Sequence, residues 1–252
     1  MTIRERLLAT LYWNEPDQVP LTVYDWMLNR GMRERHVRNL GVGLIYRPAP
    51  YHVEYRNVDV THTEYWEQGK RLIRNTFSTP VGDIWEILEP DVTGYYNVNS
   101  WIKAFLIKTP DDYRVMEYIW KHLVFHDNAS RIQTLIRQVG EDGLVYSRIA
   151  KSPIQEILYR MVGLERFSFD CYDHPDLLES LHDLMLRRYE EIYEFAVAAP
   201  VEILVLGDNI TSEVVGKARY RKYLKPVYHR IHELLRGTDK KLAVHMDGNL
   251  HS

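Results

Sequence analysis

The chain has 252 residues, of which 45% are hydrophobic and 27% charged, and its formal net charge is −3. A chain this balanced has no general electrostatic attraction to nucleic acid or anionic lipid. Its single cysteine, Cys171, excludes an intramolecular disulfide and a cysteine-rich zinc site. It contains neither an apolar run near the roughly 20 residues of a membrane span nor a signal-peptide core, so we expect a soluble, cytoplasmic protein.

The first part of the chain predicts a helix, two short strands and then a ribbon. Thr2 and Glu5 have capping-box spacing, and the apolar residues that follow recur on one helical face. Short apolar strands are predicted at 21–24 and 41–46, with a helix between them. Residues 52–88 alternate short apolar segments with charged residues and turn signals, a pattern typical of an antiparallel ribbon inserted between more regular units.

From residue 109 onward, helices and strands alternate. Thr109 and the proline and two aspartates after it are typical of a helix start, and Pro153 and Pro175 open further helices. Apolar strands are predicted at 144–147, 201–206 and 242–245. The alternation predicts an α/β fold with a parallel sheet covered by helices. Five core strands suffice for a doubly wound sheet, whereas an eight-stranded barrel spends about 30 residues per strand–helix unit and does not close with five.

Several segments, in order along nearly the whole chain, carry a family resemblance. They are RERLLATLYWNEPDQVPL at 4–21, TPVGDIWE at 79–86, KTPDDYRVMEYI at 108–119, SPIQEILYRMVGLERFSFDCYDHPDLLESL at 152–181, GDNITS at 207–212, RYRKYLKPVYHRI at 219–231 and HMDGNL at 245–250. Together they resemble the uroporphyrinogen decarboxylase superfamily, which includes corrinoid-dependent methyltransferases.

The resemblance implies a TIM (β/α)8 barrel of the uroporphyrinogen decarboxylase type. It reaches about the fifth strand, so residues 1–252 would form one barrel domain that is truncated at its C-terminus, with 52–88 as a ribbon insertion. Three strand–helix units, roughly 90 to 100 residues, would then be missing. We expect such a piece to expose apolar edges and to be inactive alone, and the family suggests a homodimer in the complete protein.

His245 and Asp247 are the candidate metal ligands. They lie two residues apart at the end of a predicted strand, so their side chains should point to the same side. The carboxyl ends of barrel strands form the active-site mouth, and an imidazole and a carboxylate are ordinary zinc ligands. The resemblance implies a His-x-Cys motif here in methyltransferases, and Asp247 replaces that cysteine. The alternative is a turn at 247–248 beside a hydrogen-bonded barrel histidine.

Asp25 and Arg30 follow the first predicted strand. Asp25 is a candidate catalytic residue at the mouth, with a helix N-cap as the alternative role. In decarboxylases the resemblance implies a Met-Arg-Gln-Ala-Gly-Arg motif at this place, whose arginines hold the substrate's carboxylates. Leu28 and Met32 replace both arginines, while Arg30, a candidate substrate-binding residue, is near but out of register. This loss argues against uroporphyrinogen as substrate.

Polar residues after two later strands complete the candidate set. Asp208 is a candidate catalytic residue and Asn209 a candidate substrate-binding residue, since Gly207 permits a tight exit from the strand before them. A simple turn is the alternative for both. Gln155, on the first turn of a helix, is a further candidate for substrate binding, and Ser152 is predicted to cap that helix through its side chain.

The resemblance leaves three functions open. The first is a methyltransferase that moves a methyl group to or from a corrinoid carried by a partner protein, with zinc as a possible Lewis acid at His245 and Asp247. The second is uroporphyrinogen III decarboxylation in porphyrin biosynthesis, which needs no cofactor. The third is a barrel that binds a small molecule without catalysis. For none of these three functions do we expect a nucleic-acid or membrane partner.

Overall fold

The structure, a computed structural model, describes residues 1–28, 30–90 and 100–251. The helices are α1 (Ile3–Leu11), α2 (Met32–Asn39), α3 (Pro110–His122), α4 (Ala129–Val139), α5 (Pro153–Glu156), α6 (Leu164–Asp173), α7 (Pro175–Ala198), α8 (Gly216–Arg219) and α9 (Lys225–Leu234). The strands are β1 (Thr22–Tyr24), β2 (Gly43–Tyr46), β3 (Tyr51–Tyr55), β4 (Asp59–Glu67), β5 (Lys70–Thr79), β6 (Gly82–Glu89), β7 (Trp101–Ala104), β8 (Leu123–Asp127), β9 (Gly143–Val145), β10 (Ser147–Ile149), β11 (Ile203–Ile210) and β12 (Lys241–Met246). None of the helices described is both long enough and apolar enough to cross a membrane.

The parallel strands follow one another in chain order. β1 pairs with β2, β2 with β9, β10 with β11, and β11 with β12, all in parallel. β9 and β10 are successive halves of one extended segment, in which the amides of Tyr146 and Arg148 donate to the carbonyls of Tyr46 and Pro48 at 3.1 Å each. All five strands predicted for the core are therefore present, with their ends within four residues of the predicted ones.

The observed class is mixed α/β. A doubly wound sheet reverses its strand order at a switch point, which the consecutive order here does not do. No sheet in the described part of the chain closes on itself, so the eight-stranded barrel is not observed and stays a prediction.

Antiparallel strands occupy the stretch where the sequence predicts the ribbon, and they extend beyond it. β4, β5, β6 and β7 form a four-stranded antiparallel sheet in that order, which reaches Ala104. β3, which begins the predicted ribbon, pairs instead with β8, far along the chain. Helix α3 packs against β5, β6 and α7, and α7 also contacts β3 and β8.

The parallel sheet has two apolar faces because side chains alternate along each strand. One face packs into the main core under the helices and includes Leu44, Leu204 and Leu206. The other, here called the open face, packs at its amino end against α1 and borders a cavity of about 480 Å³. The open-face side chains that line this cavity include those of Tyr24, Ile45, Leu144, Tyr146, Val205 and Ala243.

Candidate functional site

At the carboxyl end of the open face, polar side chains replace the apolar ones. Tyr24 ends β1, Arg47 directly follows β2, and Tyr146 lies between β9 and β10. The Arg47 guanidinium lies 3.9 Å from the centre of the Tyr24 ring. Burial, reinforced by the neighbouring Tyr24, raises the pKa of the Tyr146 phenol to about 12, while the Arg47 cation opposes this shift. These three groups form a cationic, aromatic corner.

Strand β10 and the residues directly after it extend this positively charged edge. The guanidinium of Arg148 lies against Gly207, where an added Cβ would come within 2.5 Å of Nη2 and would displace the guanidinium. Lys151 donates a hydrogen bond to the Gly207 carbonyl. Burial lowers the pKa of Lys151, and Asp208 nearby opposes that shift. Arg47, Arg148 and Lys151 thus provide three cations at the carboxyl ends of neighbouring strands.

The structure brings His245 and Asp247 together, as their spacing predicts. His245 Nε2 lies 3.0 Å from Asp247 Oδ1, and the two side chains are 56% and 52% exposed. The Asp247 amide donates to the carbonyl of Ile210 at 3.1 Å, which fixes the end of β12 beside the end of β11. Their predicted role as metal ligands stays a prediction.

These two residues do not by themselves fit a zinc ion. A catalytic zinc site takes three protein ligands. Across residues 1–28, 30–90 and 100–251, one group of three potential ligands lies close enough together to hold an ion, and it consists of Glu179, His182 and Asp183 on α7. His245 and Asp247 provide two ligands, one fewer than a catalytic zinc ion takes from protein.

Asp208 is a buried anchor rather than an exposed group. Its side chain has no solvent-exposed area. Oδ1 accepts from the Ser152 amide at 2.6 Å, and Oδ2 accepts from the Ser152 hydroxyl at 2.6 Å and from the Tyr228 hydroxyl at 2.7 Å. Ser152 does occupy the N-cap position of α5, but its side chain bonds Asp208 and does not cap the helix, contrary to the prediction.

Asn209 and Gln155 lie around the same anchor. Asn209 has a φ of +52°, a left-handed conformation that is uncommon outside glycine, and it interrupts the β11–β12 register. Its carbonyl accepts from the Tyr159 hydroxyl at 3.1 Å. Gln155 is buried and donates through Nε2 to the Asp208 carbonyl at 2.6 Å. The structure therefore brings the predicted residues 155, 208 and 209 together. Their contacts involve main-chain carbonyl groups as well as side chains.

Asp25 and Arg30 line a second cavity, of about 530 Å³, beside the cationic corner. Asp25 is the first residue of a short 3-10 helix, Asp25–Met27, and not its N-cap. Arg30 is exposed and donates to the Gln138 amide oxygen at 3.1 Å. Arg47 lines this cavity as well as stacking on Tyr24, so it connects the two predicted residues with the open face.

Tyr24, Arg47, Tyr146, Arg148 and Lys151 are not among the site residues predicted from the sequence. The sequence does contain a pattern that indicates these residues. At the strand ends a polar residue follows an apolar one two positions later, as Arg47 follows Ile45, so the two side chains share a face. That alternation identifies a face only once the strand register is known.

Comparisons with known proteins add little. No family model matches the chain, and no curated protein matches it. A solved structure, a methyltransferase from Methanosarcina mazei, matches with a TM-score of 0.47 and 13% sequence identity, over 99% of this chain and 71% of that one. A likeness this distant supports no functional assignment.

Proposed function

We propose that the chain is an enzyme that binds an anionic small molecule at the carboxyl ends of its parallel strands. The observation that supports this proposal is the row of cations formed by Arg47, Arg148 and Lys151. Neither arginine has a carboxylate partner among the described residues. Guanidinium groups bind carboxylate and phosphate in a two-pronged geometry, and the aromatic rings beside Arg47 would fix its orientation.

The proposed reaction is methyl transfer, with His245 as the base. Asp247 holds Nε2 of the imidazole, and Nδ1 has no partner in the part of the chain that the structure describes. Nδ1 would take the proton of the methyl acceptor, a thiol or hydroxyl, as the acceptor's lone pair forms a bond to the methyl carbon. The bond between that carbon and the donor breaks, and its electrons stay on the donor.

A corrinoid carried by a partner protein is the proposed methyl donor. Zinc assistance is not part of the proposal, because the site described above supplies only two ligands.

Methyl transfer can be tested with methylcobalamin as donor and mercaptoacetate as an anionic thiol acceptor. We expect the methyl thioether to form, detected by mass spectrometry, together with a change in the corrinoid absorbance. His245→Ala should lower the rate by about a hundredfold. Arg148→Ala should raise the KM for the acceptor by about tenfold or more with a smaller effect on kcat.

His229→Ala is the matched control, because His229 is an exposed histidine on α9 outside the site. It should leave the rate unchanged. Absence of any thioether, or equal rates for His245→Ala and His229→Ala, would contradict the proposed reaction.

Decarboxylation of a porphyrinogen is the second candidate, and one observation favours it. Arg47 and Arg148 provide guanidinium groups that could replace the two arginines absent at positions 28 and 32. Release of carbon dioxide from uroporphyrinogen, lost in Arg47→Ala, would favour this reaction over methyl transfer. Calorimetric binding of the porphyrinogen without either reaction would instead indicate a non-catalytic binding protein.

A further inference from the structure

A separate cavity of about 230 Å³ lies between the antiparallel strands and helices α3, α5 and α7. Aromatic side chains from five elements line it: Tyr51, Tyr55, Phe77, Trp120, Phe125 and Tyr189. Several of these rings pack against one another, with centroid separations of 5.5 Å for Tyr51 and Phe125 and 5.7 Å for Trp120 and Tyr189. The volume suits a ligand of only a few heavy atoms, since drug-sized pockets begin at about 300 Å³.

Two carboxyl groups are part of the lining of this aromatic cavity. Glu86 is 6% exposed, and one of its oxygens accepts a hydrogen bond from Asn75 at 2.8 Å. Glu156 has no hydrogen bond to its carboxyl group and no ion pair within 4.0 Å from any described residue. Burial raises the pKa of Glu156, as expected for a carboxyl group without a direct partner. A positive charge placed in the cavity would remove this cost.

A third polar group in the cavity wall, the Tyr189 hydroxyl, lacks a hydrogen-bond partner, as the Glu156 carboxyl group does. The Tyr189 hydroxyl is buried without a hydrogen bond, and the residue is 1% exposed. Buried hydroxyl groups are normally bonded, so an unpaired one at a cavity wall indicates a place that a ligand or water can fill. Arg160, the cation in the lining of this cavity, has an exposed side chain, and its charge, with that of Lys151, only partly opposes the rise in the pKa of Glu156.

We propose that this cavity binds a compact organic cation of the quaternary or tertiary ammonium class. The faces of aromatic rings carry negative electrostatic potential and attract such cations, which shed water more easily than a primary ammonium group. Glu156 supplies the compensating charge, and the Tyr189 hydroxyl can pair with a hydroxyl group on the ligand. Val53 and Tyr55 are exposed and border the cavity, so a ligand can enter from that side. This inference does not depend on the proposed function.

A pair of ligands tests the proposal on the unaltered chain. Choline and its neutral carbon isostere, 3,3-dimethylbutan-1-ol, have the same shape and differ in charge. Calorimetry should show that choline binds at least about tenfold more tightly. The N-methyl proton resonances of bound choline should move upfield, because aromatic rings shield them. Equal affinity for the two ligands would show a merely apolar cavity, and absence of binding by both would also overturn the proposal.

Single-residue variants test whether choline binds in this cavity. Glu156→Gln removes the charge and keeps the shape, so it should weaken choline by about tenfold and leave the isostere unchanged. Glu117→Gln is the matched control, because Glu117 lies on α3 and bonds Ser180 and Lys121 outside the cavity. An unchanged choline affinity in Glu156→Gln would overturn the proposal. If that variant does not fold, the ligand pair alone decides.

Discussion

At the scale of single residues, Asp208 holds together the carboxyl end of the sheet. Its two oxygens receive three hydrogen bonds, from the Ser152 amide, the Ser152 hydroxyl and the Tyr228 hydroxyl. The side chain is inaccessible to solvent, so water cannot replace these contacts. The carboxylate therefore joins β11 to the first turn of α5 and to α9, and it positions the surrounding site.

Asp208→Ala should destabilise the chain severely. The change leaves the buried hydroxyl and amide of Ser152 and the half-buried hydroxyl of Tyr228 unpaired, and each unpaired buried group costs about 1–3 kcal/mol. We expect a loss of at least about 3 kcal/mol in the free energy of unfolding, measured with urea. Asp247→Ala is the control, since Asp247 is half exposed and should change stability by no more than about 0.5 kcal/mol. Similar small losses in both variants would contradict the anchoring role.

The same scale shows what residue spacing can and cannot predict. The convergence of His245 and Asp247 was predictable, because positions two apart on a strand share a face and this relation needs no knowledge of the fold. The role of Ser152 was not predictable from spacing. A serine before a proline is typical of a cap, but its hydroxyl bonds Asp208, 56 residues along the chain. Local sequence carries no record of such a partner.

At the scale of elements, Gly163 ends the helical segment that begins with α5. The turns at Ile157–Val162 are π-helical, and Gly163 follows them with a φ of +81°. A Cβ at this position would lie 2.4 Å from the ring of Phe105. The glycine is required both by its conformation and by the close approach of an aromatic ring.

Gly163→Ala should therefore destabilise the chain more than an ordinary left-handed glycine replacement. The left-handed conformation costs alanine about 1–2 kcal/mol, and the steric overlap adds about 1–3 kcal/mol. Gly216→Ala separates the two contributions, because Gly216 has a φ of +66° and open space where a Cβ would lie. Urea midpoints of the two variants measure the difference. Equal losses would mean that Phe105 moves aside without cost.

The type of each element could be predicted more reliably than its detailed geometry. Short apolar segments bounded by proline and glycine identified the strands, since such segments suit a sheet buried on both faces. The widened π-helical turn at Tyr220–Leu224 was not predicted, because amphipathic spacing over 218–235 suggests one regular helix. Pro226, which lacks an amide donor, lies two residues after this turn, in the first turn of α9, where its missing amide hydrogen leaves no intrahelical bond unmade.

At the scale of the whole molecule, strand order was beyond the sequence. The alternation of strands and helices predicted parallel strands, and five strands were enough for a doubly wound sheet but not for a closed barrel, whereas the family resemblance implied a barrel. The pairing of β2 with β9 joins segments about a hundred residues apart, and that contact depends on packing across the whole chain. The cationic edge that supports the proposed function depends on the same pairing. For this reason Arg47 and Arg148 became candidates only after the register was known.

Buried tyrosines make the whole molecule sensitive to alkaline pH. Burial raises the pKa of several phenols above their ordinary value: those of Tyr51, Tyr113, Tyr146, Tyr189, Tyr193 and Tyr228. For Tyr146 the pKa rises to about 12. The unfolded chain ionises its phenols near pH 10, whereas the folded chain keeps these protonated. Their contribution to stability is therefore complete below about pH 10 and is lost as the pH rises toward the folded values.

Urea unfolding should consequently show a lower midpoint at about pH 11 than at about pH 8, and phenolate absorbance should rise together with unfolding. Tyr193→Phe should reduce this loss, because Tyr193 is 1% exposed and its hydroxyl has no partner in the described structure. Tyr172→Phe should not, since Tyr172 is 88% exposed and so is not protected by burial. Buried Lys151, whose pKa is lowered, acts in the opposite direction below pH 10. Phenolate absorbance that develops fully in the folded chain would show that the phenols are not protected by burial.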